Sequence, residues 1–414
     1  MLGASLAIVA VVSSPAPATA AVPGIKHVFI IVMENKNYDE TFGPDSPAPY
    51  LAKELVAQGL LMKEYYGTSH LSLGNYITMV SGQAPNPQTQ ADCINYTEFV
   101  GVASPLDGQF VGTGCVYPPA ALTIADQLEA KSLTWKGYME DMGTPCRHPA
   151  LNTTDDTQQA EAGDQYATRH NPFMYFHSII DDDPQCKARV VDLSALTADL
   201  VAESTTPNYS FITPDLCHDG HDDPCVNSAQ QGGLAGEDEF LKEWVPRILA
   251  SPAFKKDGLL IVTYDEAEAA GGSPDASACC AEPTGPNTPL PGITGPGGGR
   301  TGSVLLSPFI APGSVTEIPY NHYSLLRSME DLFGLEHLGY AAQTGLVAFG
   351  ADVYTRPQGP PTSAPSPAPA PVATGAGGGL PPTGASTAAT GVAAAAVACW
   401  LVLRRLRAAT RPKL

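Results

Sequence analysis

The chain has 414 residues, with 22 Lys+Arg against 42 Asp+Glu and a formal charge of −20. That balance argues against a binder of nucleic-acid backbone, whose affinity is built from Lys and Arg contacts that release counterions. It leaves room for an enzyme acting on phosphate if metal ions or local dipoles supply the positive field, and 43% hydrophobic residues suffice for one large domain with extensions.

Residues 2–12 are apolar, Ser13 to Pro17 break the run, and Ala18-Thr19-Ala20 is the small-x-small pattern of a signal-peptidase site. Residues 1–20 therefore read as a signal peptide, although without Lys or Arg before the apolar run, and the mature chain is expected to start at Ala21. His27 to Met33 (HVFIIVM) is a continuous apolar and β-branched run, the pattern of a buried parallel strand. Ala48 to Gln58 reads as a helix, Leu122 to Ala130 as another opened by Thr123, and Thr134 to Met139 as a strand. Asn208 to Thr213 (NYSFIT) and Leu259 to Tyr264 (LLIVTY) are further strands, with a helix from Glu237 to Leu249 between them. Ser303 to Ile310 is a late strand and Ser324 to Phe333 a late helix. This alternation predicts an α/β fold, a three-layer sandwich with a mostly parallel central sheet, over residues 21–355. Ligands of such folds gather at the carboxyl ends of the strands.

Residues 356–379, dominated by Pro, Ala, Ser, Thr and Gly, read as a semi-extended spacer. Leu380-Pro381-Pro382-Thr383-Gly384 follows, then an apolar stretch over 385–403 and a basic tail over 404–414. That order resembles the LPxTG cell-wall sorting signal of Gram-positive bacteria. The resemblance implies cleavage by sortase between Thr383 and Gly384 and attachment to peptidoglycan. The rival reading is a permanent membrane anchor through 385–403. Either reading puts the globular part outside the cytoplasm. Apart from Cys399 the chain has eight cysteines, an even number that in an exported protein reads as disulfides. Proximity favours Cys93 with Cys115 and Cys217 with Cys225, the vicinal Cys279-Cys280 is left open, and a zinc site has no C-x2-C pair to support it.

Polar clusters stand at the predicted strand ends. Glu34-Asn35 follows the first strand, Asp215 to Asp223 (DLCHDGHDD) follows NYSFIT, Asp265-Glu266 follows LLIVTY, and His322 precedes the late helix. Each alone is an ordinary loop carboxylate, cap or packed histidine. Together on one rim, hard oxygen donors and imidazoles could hold one or two divalent cations. In SHLSLGNYITMVSG, a hydroxyl at the start of a helix is a nucleophile candidate and Asn75 a donor to a phosphoryl oxygen, although Ser72 alone would be read as an N-cap.

The segments HVFIIVMENKNYDETFG, SHLSLGNYITMVSG, YATRHNPFMYF, NYSFITPDLCHDGHD, LLIVTYDEAE and NHYSLLRSMEDLFGL resemble the phosphoesterase family. That family contains secreted bacterial acid phosphatases, phosphatidylinositol-3-phosphatase-like enzymes and non-haemolytic phospholipases C, within the alkaline-phosphatase-like superfamily. The resemblance runs from about Ile25 to Leu338. It implies Ser72 as nucleophile rather than Ser69, and Asn75 as phosphate ligand. It further implies a metal ion of unspecified identity and number held by Glu34, Asn35, Asp265 and Glu266. Asp219 and His322 are expected as further ligands, and His70 and His221 in the phosphate pocket. The segment Cys217-His218-Asp219-Gly220-His221 departs from the family's commoner Asn-Asp-Met-His pattern, which leaves His218 and His221 as alternatives; the role of Arg169, His170 and Asn171 is open. The implied mechanism is attack by Ser72 on phosphorus, protonation of the leaving alkoxide by a histidine, and hydrolysis of the phosphoserine. The expected function is a surface-anchored, metal-dependent phosphomonoesterase of acid-phosphatase type. A phospholipase C or other phosphodiesterase, and a wall-bound binding module without turnover, are the alternatives. The insertion from Ala267 to Gly299 is expected to form a mobile loop near the site.

Overall fold

Six apolar residues after His27 leave no polar face, and in the computed structural model His27–Met33 forms β1, buried along its whole length. The structure describes residues 23–356 apart from 103–104, 228 and 270–273. The signal peptide, the spacer from 357, the sorting motif, the 385–403 segment and the basic tail lie outside the described residues, among which no helix is long and apolar enough to cross a membrane.

The main sheet has eight strands. In chain order they are β1, β2 (Leu60–Met62), β3 (Trp135–Met139), β4 (Val190–Asp192), β5 (Tyr209–Thr213), β6 (Gly258–Tyr264), β7 (Ser303–Leu306) and β8 (Ser314–Thr316). Their spatial order is β8-β2-β7-β6-β1-β5-β3-β4. β1 pairs in parallel with both β5 and β6, placing Val28 beside Tyr209 on one side and Leu259 on the other. β5–β3, β3–β4 and β2–β8 are also parallel. Only the two pairings of β7, with β6 and β2, are antiparallel. The late strand stops at Leu306 rather than Ile310, as expected where Pro308 has no N–H to give a ladder.

Alternation along β1 divides the core between the two faces of the sheet. Val28, Ile30 and Val32 belong to one cluster, and Phe29, Ile31 and Met33 to the other. The first face is covered by α1 (Ser72–Ser81), α2 (Ile124–Ala130) and α4 (His322–Phe333), through Leu73, Ile77, Ile124, Leu128, Leu325 and Met329. The opposite face is covered by α3 (Gly233–Ala250), through Leu234, Leu241, Val245 and Ile248. The result is the expected three-layer α/β sandwich. Thr123 and Asp126 close a reciprocal capping box at α2, and Asn321 Oδ1 caps α4 by accepting from Ser324 N–H, so α4 starts two residues earlier than the sequence suggested. The expected helix over 48–58 is instead a π-helical turn at Tyr50–Leu55 running into a short α-helix at Val56–Gln58.

The two favoured disulfides, Cys93–Cys115 and Cys217–Cys225, are present, together with Cys146–Cys186 and a bridge between the adjacent Cys279 and Cys280. The described part of the insertion is tied down by backbone bonds: Gly298 N–H donates to Gly67 O and Gly67 N–H to Gly299 O. Those bonds pin it to the loop before α1.

Candidate active site

Three neighbouring parallel strands, β6, β1 and β5, end on one edge of the sheet, and the clusters that follow them meet there. Glu34 N–H donates to Asp219 O at 2.8 Å and Asp265 N–H to Met33 O at 2.9 Å. Asn35 sits at φ +57°, a left-handed conformation that Asn tolerates, and its N–H reaches Asp265 Oδ1 at 3.1 Å. Lys36 Nζ donates to Gly220 O at 2.7 Å and fastens the β1 loop to the turn carrying Asp219 and His221.

α1 then brings a hydroxyl to this edge. Ser72 is the first residue of the helix, and its Oγ donates to Glu34 Oε2 at 2.9 Å. One turn later Tyr76 OH donates to Glu34 Oε1 at 2.7 Å, as residues four apart share a helix face. Asn35 Nδ2 completes the set on Glu34 Oε2 at 3.1 Å. Gly74 is required behind Ser72, because a Cβ there would lie 2.4 Å from Ser69 Oγ. A cavity of about 440 Å³ opens beside these groups, lined by Asn35, Leu71, Ser72, Asp92, His221 and Glu266 among others.

The carboxyl groups of Glu34, Asp219, Asp265 and Glu266 are buried, and all four are held well above the ordinary carboxylate range. Burial is the main cause in each case. The next is a neighbouring carboxylate: Asp265 for Glu34, Glu34 for Asp219 and Glu266, and Glu266 for Asp265. Asp265 Oδ2 and Glu266 Oε1 are buried without a hydrogen-bond partner. His170 sharpens the picture. Its Nδ1 is 3.0 Å from Asp219 Oδ2, and its Nε2, buried and without a hydrogen bond, faces Glu34 Oε1 at 3.4 Å. Burial holds His170 well below its usual value, and the ring stands between Asp219 Oδ2 and Glu34 Oε1. Donor atoms of Glu34, His170 and Asp219 lie within 4.8 Å of one another. Converging acceptors with uncompensated charge fit a divalent cation, and oxygen with imidazole suits several.

The other expected site residues distribute around this cluster. His70 Nε2 faces the carbonyl of Asp275 at 3.0 Å and must donate, so its Nδ1 shares one proton with Glu266 Oε2 at 2.7 Å. His221 lines the cavity: Arg169 Nη2, which can only donate, faces its Nε2 at 3.1 Å, and its Nδ1 is 2.7 Å from Asp222 Oδ1. Of the two histidines left open by the sequence, His221 is therefore the one beside Ser72, while His218 turns away to Glu140 and Asp215. Asn75 has its whole amide engaged. Oδ1 accepts from Thr68 N–H at 2.8 Å and Ser69 N–H at 2.9 Å, and Nδ2 donates to Ser69 O and Glu266 Oε2. His322 is fully buried behind the cluster, between Tyr65 OH and the backbone carbonyl of Asp265, and burial lowers its pKa to about 4.

Tyr76, His170 and Arg169, which the sequence leaves without a role, belong to the site. Tyr76 was reachable from the spacing, being four residues after Ser72 on one helix. His170 was marked only by the resemblance of YATRHNPFMYF and without a role, since it lies on a short 3-10 turn with no periodic signal; it stacks on Tyr76 with ring centroids 5.3 Å apart.

The model of the phosphoesterase family matches residues 45–336. The chain belongs to the phosphoesterase family. Among known members, it is 25% identical over 317 residues to a protein of Kluyveromyces lactis named as a probable acid phosphatase, covering 76% of this chain and 59% of that one. It is 24% identical over 330 residues to the phosphatidylinositol-3-phosphatase of Mycobacterium tuberculosis, covering 78% and 82%. It is 23% identical to an acid phosphatase of Aspergillus fumigatus, of which it spans 55%. The chain thus spans less than two thirds of these fungal phosphatases. A solved structure of an alkaline phosphatase superfamily protein from Vibrio parahaemolyticus superposes with a TM-score of 0.45 at 13% identity, covering 77% of this chain and 68% of that one.

Proposed function

We propose that this phosphoesterase is an exported, metal-dependent phosphomonoesterase that works through a phosphoserine on Ser72. The observation that carries the reading is the Ser72 hydroxyl at a helix N-terminus, bonded to Glu34 Oε2 at 2.9 Å on the wall of a cavity backed by four buried carboxyl groups. Glu34, Asp219, Asp265, Glu266 and His170 are the residues to hold the cation, with Asn35 supporting Glu34 and Asp265. A divalent cation in such a site lowers the pKa of a hydroxyl and offsets phosphoryl charge. Glu34, itself held by Tyr76 OH, accepts the Ser72 Oγ–H and is the carboxylate placed to take that proton as the oxygen attacks phosphorus and the ester oxygen leaves; water then hydrolyses the phosphoserine. His221 is the imidazole on the cavity wall; Arg169 and Asp222 engage both its ring nitrogens, so it can pass a proton to the leaving alkoxide only by releasing Arg169 and taking up a proton at Nε2. Asn75 and His322, engaged by protein atoms, take positioning roles: Asn75 shapes the 68–72 loop and His322 holds the backbone at Asp265. The names of the acid phosphatase relatives support a monoester substrate. Export fits the disulfides, which persist in oxidising compartments, and anchoring rests on the 380–384 motif.

The test is hydrolysis of p-nitrophenyl phosphate and bis-p-nitrophenyl phosphate by the full chain, with and without a chelator, beside Ser72→Ala. The monoester should be cleaved, chelation should stop turnover and added cation restore it, and Ser72→Ala should lower kcat by about 10³-fold or more. Preferential cleavage of the diester would move the enzyme to the phosphodiesterases. Near-normal turnover by Ser72→Ala would remove the phosphoserine, and no turnover by folded, cation-loaded protein would leave a binding module.

A further inference from the structure

A phosphoryl group in transfer spreads its charge over three equatorial oxygens, and hydrogen-bond donors aimed at them stabilise it. Near Ser72 the obvious donors are engaged by the protein itself. The Asn75 amide donates to Ser69 O and Glu266 Oε2, and Leu73 N–H, in the first turn of α1, donates to Asp92 Oδ1 at 2.9 Å. Lys36 Nζ lies on the carbonyls of Glu34, Asn35 and Gly220. No Lys or Arg is among the described residues that line the cavity.

One cation stands behind that wall. Arg169 is only 3% exposed, and its guanidinium meets two residues that line the cavity: Nη2 donates to His221 Nε2 at 3.1 Å, and Nε is 3.9 Å from Asp92 Oδ2. Nη1 anchors the other side, donating to Gln158 O at 3.0 Å and Thr157 O at 3.4 Å. The acceptors within hydrogen-bond reach are thus two carbonyls and an imidazole, all neutral, while the Asp92 carboxylate is too far for a hydrogen bond. A bond from guanidinium to a phosphate oxygen is about twice as strong as one between neutral groups, so a phosphoryl oxygen outcompetes an imidazole nitrogen for Nη2. His221 is the part of the wall that can yield, since its side chain is 32% exposed and its other nitrogen is bonded to the adjacent Asp222.

We infer that Arg169 binds the phosphoryl group: Nη2 passes from His221 Nε2 to a phosphoryl oxygen while Nη1 stays on Gln158 O, an inference that rests on the reading of this cavity as the phosphate site of Ser72. The exchange has two consequences. It adds a charge-assisted hydrogen bond to the bound phosphate, and it frees the Nε2 lone pair that Arg169 otherwise occupies. His221 thereby becomes available for proton transfer only when phosphate is in place.

The experiment is a double-mutant cycle on the full chain as purified, with radiolabelled inorganic phosphate as the probe and equilibrium dialysis as the readout. Arg169→Gln should weaken phosphate binding about 10- to 100-fold, the effect of one hydrogen bond between charged groups. His221→Ala removes the acceptor that competes for Nη2, so it should bind phosphate at least as tightly as the wild type, and adding Arg169→Gln to it should again weaken binding about 10- to 100-fold. A guanidinium that merely holds His221 has nothing to hold in His221→Ala. Equal binding with and without Arg169→Gln in that background would therefore overturn the inference, as would binding by Arg169→Gln within about twofold of the wild type, or no phosphate binding by the wild type. Should Arg169→Gln lower the urea midpoint, Arg169→Lys takes its place: it keeps the charge, but one ammonium cannot serve both Gln158 O and phosphate, so a loss of about tenfold is expected and unchanged affinity would overturn the inference as well. Turnover of p-nitrophenyl phosphate by the same proteins separates the two readings, because a wild type that binds phosphate through Arg169 without cleaving the ester removes the phosphatase and leaves the role of Arg169 standing.

Discussion

Removing the divalent cation from the candidate active site should make stability depend steeply on pH, and the sign follows from burial. Glu34, Asp219, Asp265 and Glu266 have native pKa values raised well above the unfolded value, burial first and neighbouring carboxylates second. In the cation-free protein the native state therefore holds more protons than the unfolded chain at any pH between the two values. Stability is then fully present below the unfolded carboxylate pKa and is lost as pH rises towards the native values. Each proton by which the native state exceeds the unfolded chain is about 1.4 kcal/mol per pH unit. If two of the four carboxyl groups are protonated, the slope is about 2.7 kcal/mol per unit, and the rise from about pH 5 to about pH 7 removes about 5 kcal/mol, a large share of a typical domain's total stability. With the cation bound the same carboxylates are ionised and this slope disappears. Glu237, raised to about 8, and Glu330, raised to about 9, both chiefly by burial, titrate in either state and leave a common residual slope. The assay is urea unfolding followed by circular dichroism across that pH range, with chelator and with the cation that supports turnover. Equal slopes in the two series, or a chelated protein whose stability rises with pH, would refute the reasoning.

Gly220→Ala should be destabilising by about 2 kcal/mol or more, because φ is +96° and a Cβ would lie 1.9 Å from Glu237 Oε1; the urea midpoint reads the loss, and turnover should fall with it since Asp219 and His221 flank the position. Asn75→Ala leaves the N–H groups of Thr68 and Ser69 without their acceptor, and should cost about 2 kcal/mol in stability. Were that variant as stable as the wild type and defective only in KM, its amide would belong to the substrate instead. Replacing Cys93 and Cys115 by Ser opens a loop with a sequence separation of 22, for which loop-closure entropy gives about 3.4 kcal/mol, measurable as a lower unfolding midpoint under non-reducing conditions.

The central strands were legible in the chain because a strand buried on both faces must be apolar throughout, and β1, β5 and β6 are such runs with polar residues at their carboxyl ends. Helix starts were legible where a cap carries its own signal, as Thr123 with Asp126 does. The sheet's short members were not. Leu60–Met62, Val190–Asp192 and Ser314–Thr316 are each three residues long, too short for any period to show, and nothing local marks β7 as the antiparallel member. The same division runs through the site. Strand order by itself brings Glu34, Asp219, Asp265 and Glu266 to one edge, so their types and places in the chain already indicated hard-cation chemistry. Tertiary structure alone decided that His170 faces Glu34, that His221 rather than His218 lines the cavity, and that Asn75 spends its amide on the loop before α1. A single chain carries periodicity and end signals within each element, whereas a side chain's partner depends on how loops far apart in sequence cross in space, and that is set only when the layers pack.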